Sequence, residues 1–187
     1  MRLIQVSATI SILCIAGPSR AQDWIEYVDR AERFGVSLPG QPTVASSTYV
    51  SEDGKNLPAR VYTTQDGPSR YSVSVVNYAD ADVRVVRGSI AHAAWNFRKR
   101  GGEITYDAFA QVDRIEGHQL YITNPDRSRT FVAIHLHARR LYILEATVPP
   151  GSPFPGLFQQ SLTILDAQGN RIRYELDACG NRTTRIR

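Results

Sequence analysis

Cysteine is nearly missing from this 187-residue chain, which has only Cys14 and Cys179. It has no paired-cysteine motif, no phosphate-cradling glycine loop, no strained strand-to-helix serine and no internal repeat or low-complexity segment. These absences remove zinc-ribbon, dithiol redox, nucleotide-binding and serine-hydrolase readings that rest on such arrangements. No apolar run reaches the roughly 20 residues that a membrane-spanning helix needs. A length of 187 residues is enough for one domain with a substantial core and short for two.

What is present begins with MRLIQVSATISILCIAGPSRAQ. Arg2 precedes an apolar stretch of about 15 residues, Leu3 to Gly17, then a Pro-Ser break and Ser19-Arg20-Ala21. The order basic, apolar, small-residue site is that of a secretory signal peptide, with cleavage expected after Ala21. Leu13 stands before Cys14 where a lipoprotein site wants a small residue. Residues 1–21 are therefore expected to be a leader, 22–176 one domain, and 177–187 a flexible basic tail. The mature chain is expected to be periplasmic or secreted and not membrane-spanning. Removal of 1–21 takes away Arg2, Arg20 and no acid, so the formal charge falls from +4 to +2, with 20 basic against 18 acidic residues. That balance gives no support to a nucleic-acid partner. It also leaves Cys179 alone, so the fold is expected to hold without an internal disulfide.

Trp24 to Asp29 fits a short strand or a helical turn. Phe34, Val36 and Leu38 alternate as a strand that Pro39-Gly40-Gln41-Pro42 ends. Val44 to Val50 and Ala59 to Thr63 flank an Asp53-Gly54 turn, a hairpin signal. Tyr71 to Tyr78 places Tyr71, Val73 and Val75 on one core face. The period then changes: Val83, Val86, Ile90, Ala94 and Phe97 form a helical stripe, with Asp82 as N-cap, Arg98-Lys99-Arg100 at the end and Gly101-Gly102 after it. Period two returns at Ile104, Tyr106, Ala108, at Gln119 to Thr123, and in FVAIHLHARRLYILEA (131–146), with Asn124 to Ser128 as a turn. Pro155 to Leu165 fits a second helix with Phe158, Leu162 and Leu165 inward, and Ile172, Tyr174, Leu176 a last strand. Strand runs broken by two helices predict an α+β domain, a mostly antiparallel sheet packed against two helices.

The Phe34-to-Pro42 opening, the Tyr-rich strand, and the helix before a meander ending Leu141-Tyr-Ile-Leu-Glu-Ala-Thr147 and a Phe158-centred helix resemble the PsbP-like fold. That fold is shared by an extrinsic photosystem subunit, a nuclear-import factor and small exported bacterial proteins. The resemblance spans about Phe34 to Leu165 and rests on element order. It implies an α/β/α sandwich that acts by binding, with no catalytic residues to carry over and no cofactor.

Within FVAIHLHARRLYILEA, His135 and His137 are two apart on a strand, so both imidazoles share a face and could serve one metal ion. A third ligand would come from His92, His118 or Glu145. The alternative, favoured by the apolar surroundings, is a β-hairpin whose histidines are face residues. A three-residue connection, Ala138 to Arg140, would put Leu136 opposite Tyr142, Ile134 opposite Leu144 and Val132 opposite Ala146. Ser89 and Ser161 lie in predicted helices rather than on elbows. Glu103 and Asp107, four apart on a strand, would stand more than about 13 Å apart, too far for a glycosidase pair. Arg139-Arg140 and Arg127/Arg129 lie at opposite ends of the hairpin and form no single anion pocket. The expected function is a non-catalytic, exported domain that binds a protein or an envelope component. The alternative is a metal-binding protein or metal-dependent enzyme using His135 and His137.

Overall fold

The structure is a computed structural model and describes residues 24–179 and 181–186. The expected cleavage after Ala21 lies outside those residues. The centre of the fold is a seven-stranded antiparallel sheet. It is formed by β3 (Thr43–Val50), β4 (Asn56–Asp66), β5 (Ser69–Asn77), β6 (Glu103–Val112), β7 (Ile115–Thr123), β8 (Arg129–His137) and β9 (Arg140–Val148) in the order β3-β4-β5-β9-β8-β7-β6. A smaller sheet joins β1 (Trp24–Asp29), β2 (Phe34–Pro39) and β10 (Thr163–Ile164), and β11 (Ile172–Leu176) pairs with β12 (Arg182–Ile186). The predicted α+β, mostly antiparallel class is what forms.

Both faces of the central strands are covered, which explains their near-continuous apolar runs. On one face Tyr71, Val73, Val75, Tyr142, Leu144 and Ala146 pack against Phe34, Val36, Leu38, Phe158, Leu162 and Ile164. On the other, Val76, Leu120, Val132, Ile134, Leu141 and Ile143 meet Ala93, Ala94 and Phe97 of α1 (Val83–Arg98). Each fully buried Leu, Ile or Phe in these layers contributes about 1.5–3 kcal/mol of burial.

The α1 caps are those read from the sequence. Asp82 Oδ1 accepts from Arg84 N at 2.8 Å, and Gly101 takes φ +88° past the last turn. The inward stripe is rotated from the expected one: Val83 is exposed, while Ser89 and Ala93 are buried. Small residues there let the helix close onto a sheet of branched side chains. The second helix is shorter than expected. Only Gly156–Gln160 is helical (α2), with Pro155 at its N-cap and no capping side chain, and the chain then extends so that Thr163 and Ile164 pair with Gly35 and Phe34. Phe158, Leu162 and Leu165 are nonetheless buried.

The β8–β9 register also differs. The connection is two residues, Ala138 (φ 44°) and Arg139 (φ 61°), a mirror-type turn. Leu136 then faces Leu141, Ile134 faces Ile143, and Val132 faces Glu145. Apolar alternation fixes register only when one face is buried, and here both are. The turn is held from outside: Tyr78 N donates to Arg139 O at 2.8 Å, Arg139 Nε donates to Tyr78 O at 3.1 Å, and its Nη2 donates to Ala81 O.

The terminal segment carries a short repeat that the sequence reading misses. Asp166-Ala-Gln-Gly-Asn170 and Asp177-Ala-Cys-Gly-Asn181 stand 11 residues apart in the sequence, and their Asp and Asn residues are bonded alike. In each, the Asp N donates to the Asn O at 2.9 Å and the Asp Oδ1 accepts from the Asn N at 2.8 Å. The stretch expected as a flexible tail therefore contains β12, paired along β11 from Ile172–Ile186 to Leu176–Arg182.

Candidate functional site

His135 and His137 do share a face, the one that meets β2 and α2. His135 is 2% exposed, and its ring lies against Gly117 on β7, the residue opposite it. Burial pushes its pKa down to about 4, against hydrogen bonding of the ring to the Ile115–Glu116 backbone, which acts the other way. Its Nδ1 is buried without a partner. His137 Nε2 lies 2.9 Å from Tyr174 OH, tying the β11–β12 hairpin to the main sheet, and burial lowers its pKa too.

The third-ligand candidates are elsewhere. His118 pairs with Ile134 and Glu145 with Val132, both on the α1 side of the sheet. His92 sits on α1, with Nε2 3.1 Å from Val50 O. Among the described residues no group of three His, Cys, Asp or Glu side chains could hold a metal ion.

The polar groups on the α1 side are engaged with one another. Asp107 receives two hydrogen bonds from Arg98 at 2.8 Å each, and its Oδ1 lies 2.5 Å from His118 Nε2. The guanidinium holds the carboxyl down to about 2. Arg100 Nη1 donates to Glu145 at 2.7 Å. The basic end of α1 is thus bound to carboxylates of the sheet. Ser89 Oγ donates to Val86 O and Ser161 Oγ to Phe158 O, so both serines complete local backbone bonds. Of the hairpin arginines, Arg139 clamps the 78–81 turn, Arg140 lies 3.6 Å from Glu32, and Arg129 donates to Ser152 O while lying over Phe131.

What remains open is the outer strand β6. It forms one edge of the large sheet, and its free side carries Ile104, Tyr106 and Phe109, 40%, 42% and 62% exposed. Tyr106 begins an aromatic ladder running inward across three strands. It stacks on Tyr121 at 4.6 Å between centroids, and Tyr121 meets Phe131 edge-on at 5.0 Å. Phe154, from the Pro149–Pro155 loop, closes on both at 5.4 and 5.1 Å. Gly156 allows this closure, since a Cβ there would lie 2.7 Å from Phe154 Cε1. A register shift between Ile104 and Tyr106 puts Ile104 across from Ile122, on the α1 side with Phe109. Exposed apolar side chains therefore stand on both flanks of the edge, with Asp107, held by Arg98, between Ile104 and Phe109 on the α1 flank. Sequence reading took Ile104 and Tyr106 only as strand residues; the sign that could have marked an edge was a strand beginning after Gly101-Gly102 with aromatic residues on both parities.

No family model matches the chain, and comparison with the curated proteins finds no match.

Proposed function

We propose that this protein is an exported, non-catalytic binding domain that receives an extended segment of another polypeptide along β6, as an added strand of its large sheet. The observation that carries the reading is β6 itself. It is a ten-residue edge with no lysine or proline to block pairing, and exposed apolar side chains stand on both its flanks, the Asp107 carboxylate between them being tied to Arg98. Long apolar edges of this kind are ordinarily blunted, and strand addition uses main-chain hydrogen bonds for affinity and alternate side-chain contacts for selectivity. Tyr106 with Phe154 would take an apolar side chain on one flank, and Ile104 with Phe109 would take the next on the other. The element order supports a PsbP-like arrangement, with α1 on one face of the sheet and the β1-β2-β10 layer with α2 on the other. Export rests on the leader-like residues 1–21, and intact-mass measurement of exported protein tests it: a retained leader sinks that part.

The test of binding is site-specific photocrosslinking at Gln111, an exposed β6 position, in the native envelope, combined with hydrogen exchange on the recovered complex. The expected result is one dominant polypeptide product with added protection at β6 amides. Tyr106→Lys and Phe109→Lys, both at exposed positions, should abolish it without unfolding the domain. A product that persists in both variants, or protection that appears at β3 instead, overturns the reading.

A further inference from the structure

A second surface, away from β6, lies where the β3–β4 turn meets the outer side of α1. A cleft of about 330 Å³ is lined there by Glu52, Gly88, Ala91, His92 and Trp95. Trp95 is 53% exposed, although it belongs to the best-packed helix of the fold. Gly88 and Ala91 lie seven and four residues before it on the helix and form a floor without bulk. A side chain at Gly88 would overlap the Glu52 carboxylate, so that glycine is what lets Glu52 sit over the helix.

The turn that carries Glu52 and the ring of His92 are held in place. Ser51 is buried, its N donates to Lys55 O at 2.9 Å, and its Oγ bonds Asp53 Oδ1 at 2.5 Å, which fixes the turn carrying Glu52. Lys55 pairs with Asp53 and Arg84 with Asp82, leaving the Glu52 carboxylate without an ion pair among the described residues. His92 Nε2 lies 3.1 Å from both Val50 O and Asn96 Nδ2, contacts that anchor the ring and do not involve Nδ1.

We infer that this cleft is a saccharide-binding site that takes one neutral pyranose unit of a glycan. An exposed indole face offers an apolar, rigid platform for the C–H face of a sugar ring. A carboxylate accepts two neighbouring hydroxyls, and an imidazole nitrogen, as donor or acceptor, can bond a third. The lining has no cationic side chain, so it does not select an anionic ligand, and it is too shallow to enclose an acyl chain. A basic side chain or quaternary ammonium would also be drawn to Trp95 and Glu52, but recognition of such cations uses several aromatic walls, and this cleft has one.

The experiment is calorimetric titration of the processed protein with cellotriose, maltotriose and an N-acetylglucosamine trimer, with choline as the cationic probe. Insoluble cellulose and chitin serve as the polymeric source. Saturable binding of at least one trisaccharide is expected. Trp95→Ala should weaken it at least about tenfold. Gly88→Ala is the second variant: it improves helix propensity, so the melting temperature should hold or rise, while the displaced carboxylate should weaken binding by about tenfold. Retention on a polymer without trisaccharide binding would assign the site to an extended chain rather than a free sugar and would still require loss in Trp95→Ala. No binding of any saccharide at about 10 mM, binding unchanged in Trp95→Ala, or binding of choline alone overturns the inference.

Discussion

Gly117 on β7 and His135 on β8 stand directly opposite each other, and the imidazole fills the space that a side chain at 117 would occupy. A Cβ there would overlap both His135 Nδ1 and the Ile134 carbonyl oxygen. The histidine that reads in the sequence as a potential ligand is thus a packing residue, and its partner is a glycine.

Gly117→Ala should destabilise the domain by about 1–3 kcal/mol, because the ring and the strand cannot both retreat within a packed sheet. Urea denaturation checks this. A midpoint within error of wild type would mean that the His135 ring has another position available.

The His135 site sets a pH dependence. In the unfolded chain a histidine titrates near 6.5, and in the folded protein burial lowers this one to about 4. Between those values the unfolded chain binds a proton that the folded chain refuses, so protonation favours unfolding. The stability associated with His135 is complete above about pH 6.5 and falls as the pH drops toward 4, by about 3 kcal/mol in all. His137, shifted the same way, adds to the slope. Denaturation at pH 7.5 and pH 4.5 should show the loss, and His135→Gln should flatten it even though that variant is less stable throughout. Metal analysis of untagged protein belongs with this comparison: substoichiometric zinc and copper are expected. A near-stoichiometric ion that disappears when both His135 and His137 become Gln would return the metal reading.

Asp107→Asn should lower stability by about 1 kcal/mol, since it weakens a two-bond contact with Arg98 at a half-exposed site. The sign with pH is the same as that of His135 and only the window differs: the carboxylate is depressed, so its contribution is present above about pH 4 and is lost as the pH falls toward 2. Thermal melts of wild type and variant should converge at the acid end of that range.

Cys179→Ser should move the melting temperature by less than about 3 °C. The thiol is exposed, and the turn around it is held by Asp177, whose Oδ1 accepts from Cys179 N at 2.9 Å and Asn181 N at 2.8 Å. A larger drop would point to a disulfide between copies.

The sequence by itself determined the local decisions. Asp82 and Gly101 bound α1 because a cap and a left-handed glycine act within one turn of the residues that need them. The alternation at Phe34 to Leu38 and at Tyr71 to Val75 identified core faces because strand periodicity is local too. Only the tertiary structure decided what depends on layers meeting. The β8–β9 register followed from Arg139 gripping the 78–81 turn, 58 to 61 residues away, once both faces of the sheet were covered. The chain after Gln160 left the helix because β2 offered an unpaired edge to Thr163 and Ile164. His118 and Glu145 were separated from His135 by the sheet itself, since adjacent strand positions point to opposite faces. The exposure of Phe109 and Trp95 was invisible for the same reason: an apolar residue on a periodic element reads as core until the structure shows that no layer lies over it.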